Sequence, residues 1–118
     1  MSIRHINSLF VFVKGVNKML ERDFQKGLIR KLKSLFPGCV ILKNDAKYKD
    51  GIPDLTVFYK KNYAFLEVKR SYEECIKSMK EKPKQKMYVD KFRDWAFGSY
   101  IYPENFEYVL EQLKEVFK

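Results

Sequence analysis

The chain has 118 residues, 46% of them hydrophobic and 16% aromatic, which points to one packed domain with no room for a second and away from intrinsic disorder. Its net charge of +9 is uneven: residues 99–118 carry two basic and four acidic side chains, summing to −2, which leaves +11 on residues 1–98. A basic body of this kind suits a polyanionic partner, with a lysine-rich solvated surface as the plainer alternative. Cys39 and Cys75 stand 36 positions apart with no CxxC spacing, so neither a zinc site nor a disulfide framework is indicated. A reduced, cytoplasmic protein is expected. The apolar run Leu9 to Val13 is only five residues long and is followed by Lys14, too short for a signal peptide or a membrane span.

In chain order, Ile3, Ile6, Leu9 or Phe10, Val13 and Val16 suit a short amphipathic helix, weakened by Asn7, Gly15 and Asn17. Residues 1–18 therefore read as an N-terminal extension or helix, or as an upstream start, and residues 19–118 as the domain itself. From Met19 to Phe36, Leu20, Phe24, Leu28, Leu32 and Leu35 form a continuous helical stripe that stops at Pro37-Gly38. Cys39 to Leu42 reads as a strand, and Lys43 to Gly51 as a polar, lysine-rich loop. Pro53 to Tyr59 and Tyr63 to Lys69 are both rich in β-formers and suggest a hairpin, with Pro53 tolerated at the first position of its strand. After a charged segment ending at Pro83, residues 84–97 fit a helix, 98–102 a strand and 103–117 a final helix that buries Phe106, Val109, Leu110, Leu113 and Phe117. The expected order is α-β-β-β-α-β-α. Tyr88 and Trp95, seven apart, are expected in the core.

Two residues apart on the second hairpin strand, Glu67 and Lys69 share one face while Ala64, Leu66 and Val68 fill the other. Charged groups in such a strand need pairing or metal binding to offset burial. Asp54 joins them only if hairpin register allows it. A loop of two residues (Lys61-Asn62) or four (Lys60 to Tyr63) sets Asp54 opposite Lys69, whereas a regular three-residue loop turns it to the other face. Asp54 and Glu67 would then offer hard oxygen ligands suited to Mg²⁺ or Mn²⁺, with Lys69 beside them to stabilise phosphorane charge or position an attacking water. Lys43, Lys47, Lys49 and Arg70 flank this place and suit contacts to DNA phosphates. With His5 as the only histidine, histidine-base nucleases, serine and cysteine triads and zinc hydrolases all lack their parts.

Gly51-Ile52-Pro53-Asp54-Leu55, followed 13 positions after Asp54 by Glu67-Val68-Lys69, resembles the PD-(D/E)xK superfamily of nucleases, above all its VRR-NUC branch and related small phage endonucleases. The resemblance spans about residues 19–113. It implies an α/β, restriction-endonuclease-like core, with a mixed sheet, flanking helices and an active site on the hairpin. It further matches Glu21 and Gln25 to an early-helix pair, which makes Glu21 a third metal ligand beside Asp54 and Glu67. Gln85 falls on the helix after the catalytic strand, so the implied catalytic set is Asp54, Glu67, Lys69, Glu21 and Gln85. The activity implied is Mg²⁺-dependent endonuclease cleavage of branched or structured DNA, in the manner of a Holliday junction resolvase, and two cuts at a junction would need a homodimer.

Each residue also has a plainer reading. Asp54 suits a turn cap after Pro53, Glu67 and Lys69 a salt-bridged exposed strand face, Glu21 a first-turn helix glutamate, and Gln85 a solvated first-turn residue. For the whole chain the alternative is a non-catalytic basic DNA-binding module with a nuclease-like fold.

Overall fold

The computed structural model describes residues 19–118, so the expectation for residues 1–18 lies outside the described residues. Helix α1 (Glu21–Leu35) carries Glu21 and Asp23 in its first turn, where the helix dipole favours them, and Lys33 in its last. Its apolar stripe puts Phe24, Leu28 and Leu32 wholly out of solvent. The chain then forms strands β1 (Val40–Lys43), β2 (Leu55–Tyr59) and β3 (Asn62–Val68), helices α2 (Tyr72–Glu81) and α3 (Pro83–Trp95), and strand β4 (Gly98–Ile101). A 3₁₀ turn (Pro103–Asn105) leads into helix α4 (Phe106–Val116).

The sheet is mixed, in the order β1-β2-β3-β4. The first three strands run antiparallel, and β4 joins β3 in parallel after the helical crossover. Alternation gives the sheet two unlike faces. Leu55, Val57, Ala64, Leu66, Val68 and Ile101 meet α1 and α4 in one core with Phe106, Val109, Leu110 and Leu113. Burial of each of these side chains other than Ala64 contributes roughly 1.5–3 kcal/mol. Phe24 meets Phe106 edge to face at 5.8 Å between ring centres, and Phe36 meets Phe117 at 5.0 Å. On the opposite face α3 lies over β3 and β4, where a smaller cluster of Cys75, Val89 and Tyr100 forms. Gly98 permits that approach: a Cβ there would stand 2.5 Å from the Val89 carbonyl oxygen and 2.8 Å from the Arg93 nitrogen.

Two expectations are corrected. The single helix expected between β3 and β4 is two, because Ser71 starts α2 by accepting a hydrogen bond from the Glu74 amide at 3.1 Å. Trp95 is not core and Tyr88 is only partly so: α3 turns Val89 and Phe92 inward, leaves Trp95 64% exposed, and keeps Tyr88 half-buried with its ring stacked on Phe92 at 5.8 Å. Among the described residues no helix is long and apolar enough to cross a membrane, and Cys39 and Cys75 are free thiols.

Candidate active site

The hairpin sets the geometry. Tyr59 pairs with Asn62, so the turn is the two-residue Lys60-Lys61, with Lys60 in the left-handed region at φ 57°. The loop is even, as bringing Asp54 to the Glu67 face requires, but its register is two residues from the one expected. Leu55 pairs with Leu66, so the preceding Asp54 comes opposite Glu67, not Lys69. Asp54 Oδ2 accepts from the Val68 amide at 2.8 Å. From the other side the Asn44 amide donates to the Asp54 carbonyl oxygen at 2.8 Å. The Asn44 side chain also ties the strand entry down, donating to the Pro53 carbonyl at 2.9 Å and to Thr56 Oγ1 at 2.8 Å. These bonds fix Asp54 from both neighbouring strands.

Glu67 and Lys69 are no exposed strand face. They are 2% and 5% exposed, and Lys69 Nζ lies 3.2 Å from Glu67 Oε2. Burial, then the charge of Asp54, pushes the Glu67 carboxyl up to about 8, with the Lys69 ammonium opposing them. Asp54 is raised by burial as well, held back by the Val68 amide. Glu67 Oε1 is buried with no hydrogen-bond partner, and so are Gln85 Oε1 and the Tyr100 hydroxyl, which stands beside Glu67 on β4. Buried polar atoms left unpaired are uncommon and concentrate where a ligand or chemistry completes them.

A cleft of about 460 Å³ opens over Asp54, between Asp50, Gly51 and Ile52 on one side and Glu81 to Gln85 on the other. Gly51 has φ +87°, and a Cβ there would stand 2.9 Å from the Lys84 Cβ, so glycine lets the loop close against the start of α3. Lys84 and Asp50 bridge the rim at 3.6 Å, both largely solvated.

Glu21 lies on the solvent side of the first turn of α1. Partial burial and then the charge of Asp54 raise its carboxyl, and Lys69 opposes them, so it shares the electrostatic field of the site. It is not gathered into a tight cluster: among the described residues no group of three or more His, Cys, Asp or Glu side chains is arranged to hold a metal ion. The carboxyls of Asp54 and Glu67 and the Gln85 carbonyl supply hard oxygen, the donor chemistry of Mg²⁺ or Mn²⁺, and the unpaired Glu67 Oε1 leaves a bond to be made. Gln25 is half-buried on α1.

The basic residues divide. Lys49 sits 5.7 Å from the centre of the Tyr88 ring, and Lys47 is exposed in the same loop. Lys43 pairs with Leu55 and so belongs to the opposite sheet face from Asp54. Arg70 bonds Glu74 at 2.9 Å. A residue that sequence reasoning missed is Lys82, which lines the cleft and lowers both Asp54 and Glu21. Its place between α2 and Pro83 was visible only once α2 was recognised. No protein-family model, curated protein or solved structure matches the chain.

Proposed function

We propose that the chain is a Mg²⁺- or Mn²⁺-dependent endodeoxyribonuclease of the PD-(D/E)xK type, acting on branched or structured DNA as a homodimer. The observation that carries this reading is the buried pair of Glu67 and Lys69 with half-buried Asp54 beside a cleft, and Glu67 Oε1 unpaired. A mixed sheet with flanking helices and acidic residues on its hairpin is also what the resemblance to that superfamily implies. Bound there, the divalent ion would polarise a phosphodiester and neutralise its developing charge. Asp54 and Glu67 would hold it, with Gln85 and Glu21 at the margin.

The chain's own residues do the rest. Lys69, paired with Glu67 at 3.2 Å, would donate to a phosphoryl oxygen as charge builds. Asp54 is kept in place by the Val68 amide and by the Asn44 anchor, so its orientation survives changes at the cleft mouth. Lys82 and Lys84 on the cleft wall offset the charge of an approaching phosphate.

The test is cleavage of four-way, flap and duplex DNA with Mg²⁺ or Mn²⁺. Asp54→Ala and Lys69→Ala should lower cutting by a factor on the order of 10³ while leaving binding in EDTA unchanged. Undiminished cutting by either variant sinks the assignment. Binding by the unsubstituted chain with no metal-dependent cutting is the outcome that the DNA-binding-module reading requires.

A further inference from the structure

One feature outside the carboxylate site is unusual for a soluble surface. Along α3, Lys84, Tyr88, Lys91 and Trp95 recur at spacings of four, three and four, so they share one line roughly 60° wide. Asp90 and Asp94 fall on a different side of the helix, where Asp90 pairs with Lys86 and Arg93. Each aromatic on the line has a cation against it: Lys49 at 5.7 Å from the Tyr88 ring and Lys91 at 5.5 Å from that of Trp95. The aromatic surface continues inward through Phe92, which stacks on Phe65 at 3.8 Å, and across the sheet to Tyr63 and Phe58. There α3 no longer covers the sheet: Phe58 is 42% exposed and Leu42 48%. By strand alternation this is the same sheet face that carries Asp54 and Glu67.

We propose that this strip, from the cleft to Trp95, is a track for an unpaired nucleic-acid strand whose bases stack on Tyr88 and Trp95. Tyr88 and Trp95 stand about 10 Å apart along the helix, the span of roughly three stacked nucleotides. A strand places its bases on the rings while Lys49 and Lys91, on flexible stems, shift from ring to phosphate. Charge selects this occupant. A second copy of a chain with net charge +9 would bring further lysines against those already on the strip, whereas a polyanion neutralises them. The proposal rests on the nuclease reading in making the strand on the track continuous with the one cut beside Asp54, and it sharpens the substrate to DNA with an unpaired arm.

Trp95 is the only tryptophan in the chain, so its emission reports the strip directly. With the full chain in EDTA, oligo(dT) should quench that emission. Trp95→Ala and Tyr88→Ala should each weaken binding of a duplex with a single-stranded tail about tenfold, and binding of a blunt duplex less than about twofold. Trp95→Phe, which keeps a stacking ring, should restore most of the loss. Equal weakening on both DNAs overturns the track, and so does unquenched emission at saturating oligo(dT). Emission that changes with protein concentration in the absence of DNA also overturns it, since a second copy would then cover the strip. Cleavage is scored separately: tailed-DNA binding through Trp95 without any cutting removes the nuclease reading and leaves the track, and metal-dependent cutting with Trp95 unquenched does the reverse.

Discussion

The two faces of the central sheet are built from the same strands, one residue out of step, and they are physically opposite. On one, Leu55, Val57, Ala64, Leu66 and Val68 are all fully buried under α1 and α4. On the other, Asp54, Phe58, Glu67 and Lys69 combine buried charge, an unpaired carboxyl oxygen and exposed aromatic rings. Burying a carboxyl without a full set of partners is unfavourable, and it persists only where surrounding structure over-determines it. The apolar face does that. Its rigidity lets the polar face hold groups that, taken alone, would drive the strands apart.

The sharpest way to break this contrast is truncation on each side. Leu66→Ala should lower unfolding free energy by about 3 kcal/mol in urea denaturation, and Phe58→Ala, on the bare half of the other face, by less than about 1 kcal/mol. Equal losses would mean that the faces do not divide the labour. Gly98→Ala forces a Cβ into the backbone of α3 and should cost about 2 kcal/mol, with hydrogen exchange in α3 rising more than in α1. Next comes pH. Since burial raises Glu67 from 4.5 to about 8, its contribution to stability is fully present below pH 4.5 and is lost as pH rises to about 8. The slope from this one proton reaches about 1.4 kcal/mol per pH unit, and Glu67→Gln should flatten the decline between pH 5 and pH 8. A Gln variant that keeps the full decline would refute the buried-acid account. Smallest is Lys60→Gly, which relieves a left-handed residue in the turn and should add about 0.5 kcal/mol with the cleft unchanged.

Periodicity made much of this legible. The stripe Phe24, Leu28, Leu32 marks α1, and the alternation Ala64, Leu66, Val68 marks the buried side of β3, because long regular patterns override local ambiguity. Helix α2 was hidden: its segment is densely charged, with Tyr72, Cys75, Ile76 and Met79 the only hydrophobic residues before Pro83, although Ser71 three before Glu74 is a capping signature. The hairpin register was only half readable. Lys60-Lys61-Asn62-Tyr63 contains no glycine to mark the left-handed position, so the pairing had to be decided by the buried face, and Asp54 came opposite Glu67. Trp95 shows the limit of spacing arguments: its interval from Tyr88 suits a buried face, yet the phase of α3 is set by Val89 and Phe92.

The parallel pairing of β4 with β3 has a consequence for the order in which the molecule assembles. Asp54 and Glu67 meet through a hairpin closed by two residues, a local event on a timescale of about 1–10 μs. Lys82 and Gln85 arrive only when the whole crossover through α2 and α3 has folded and β4 has docked, a non-local closure that carries a larger entropy cost. The acidic pair is therefore early and the cleft wall late. In partial unfolding the sequence reverses, so the wall is the first part to open while the carboxylates still face each other.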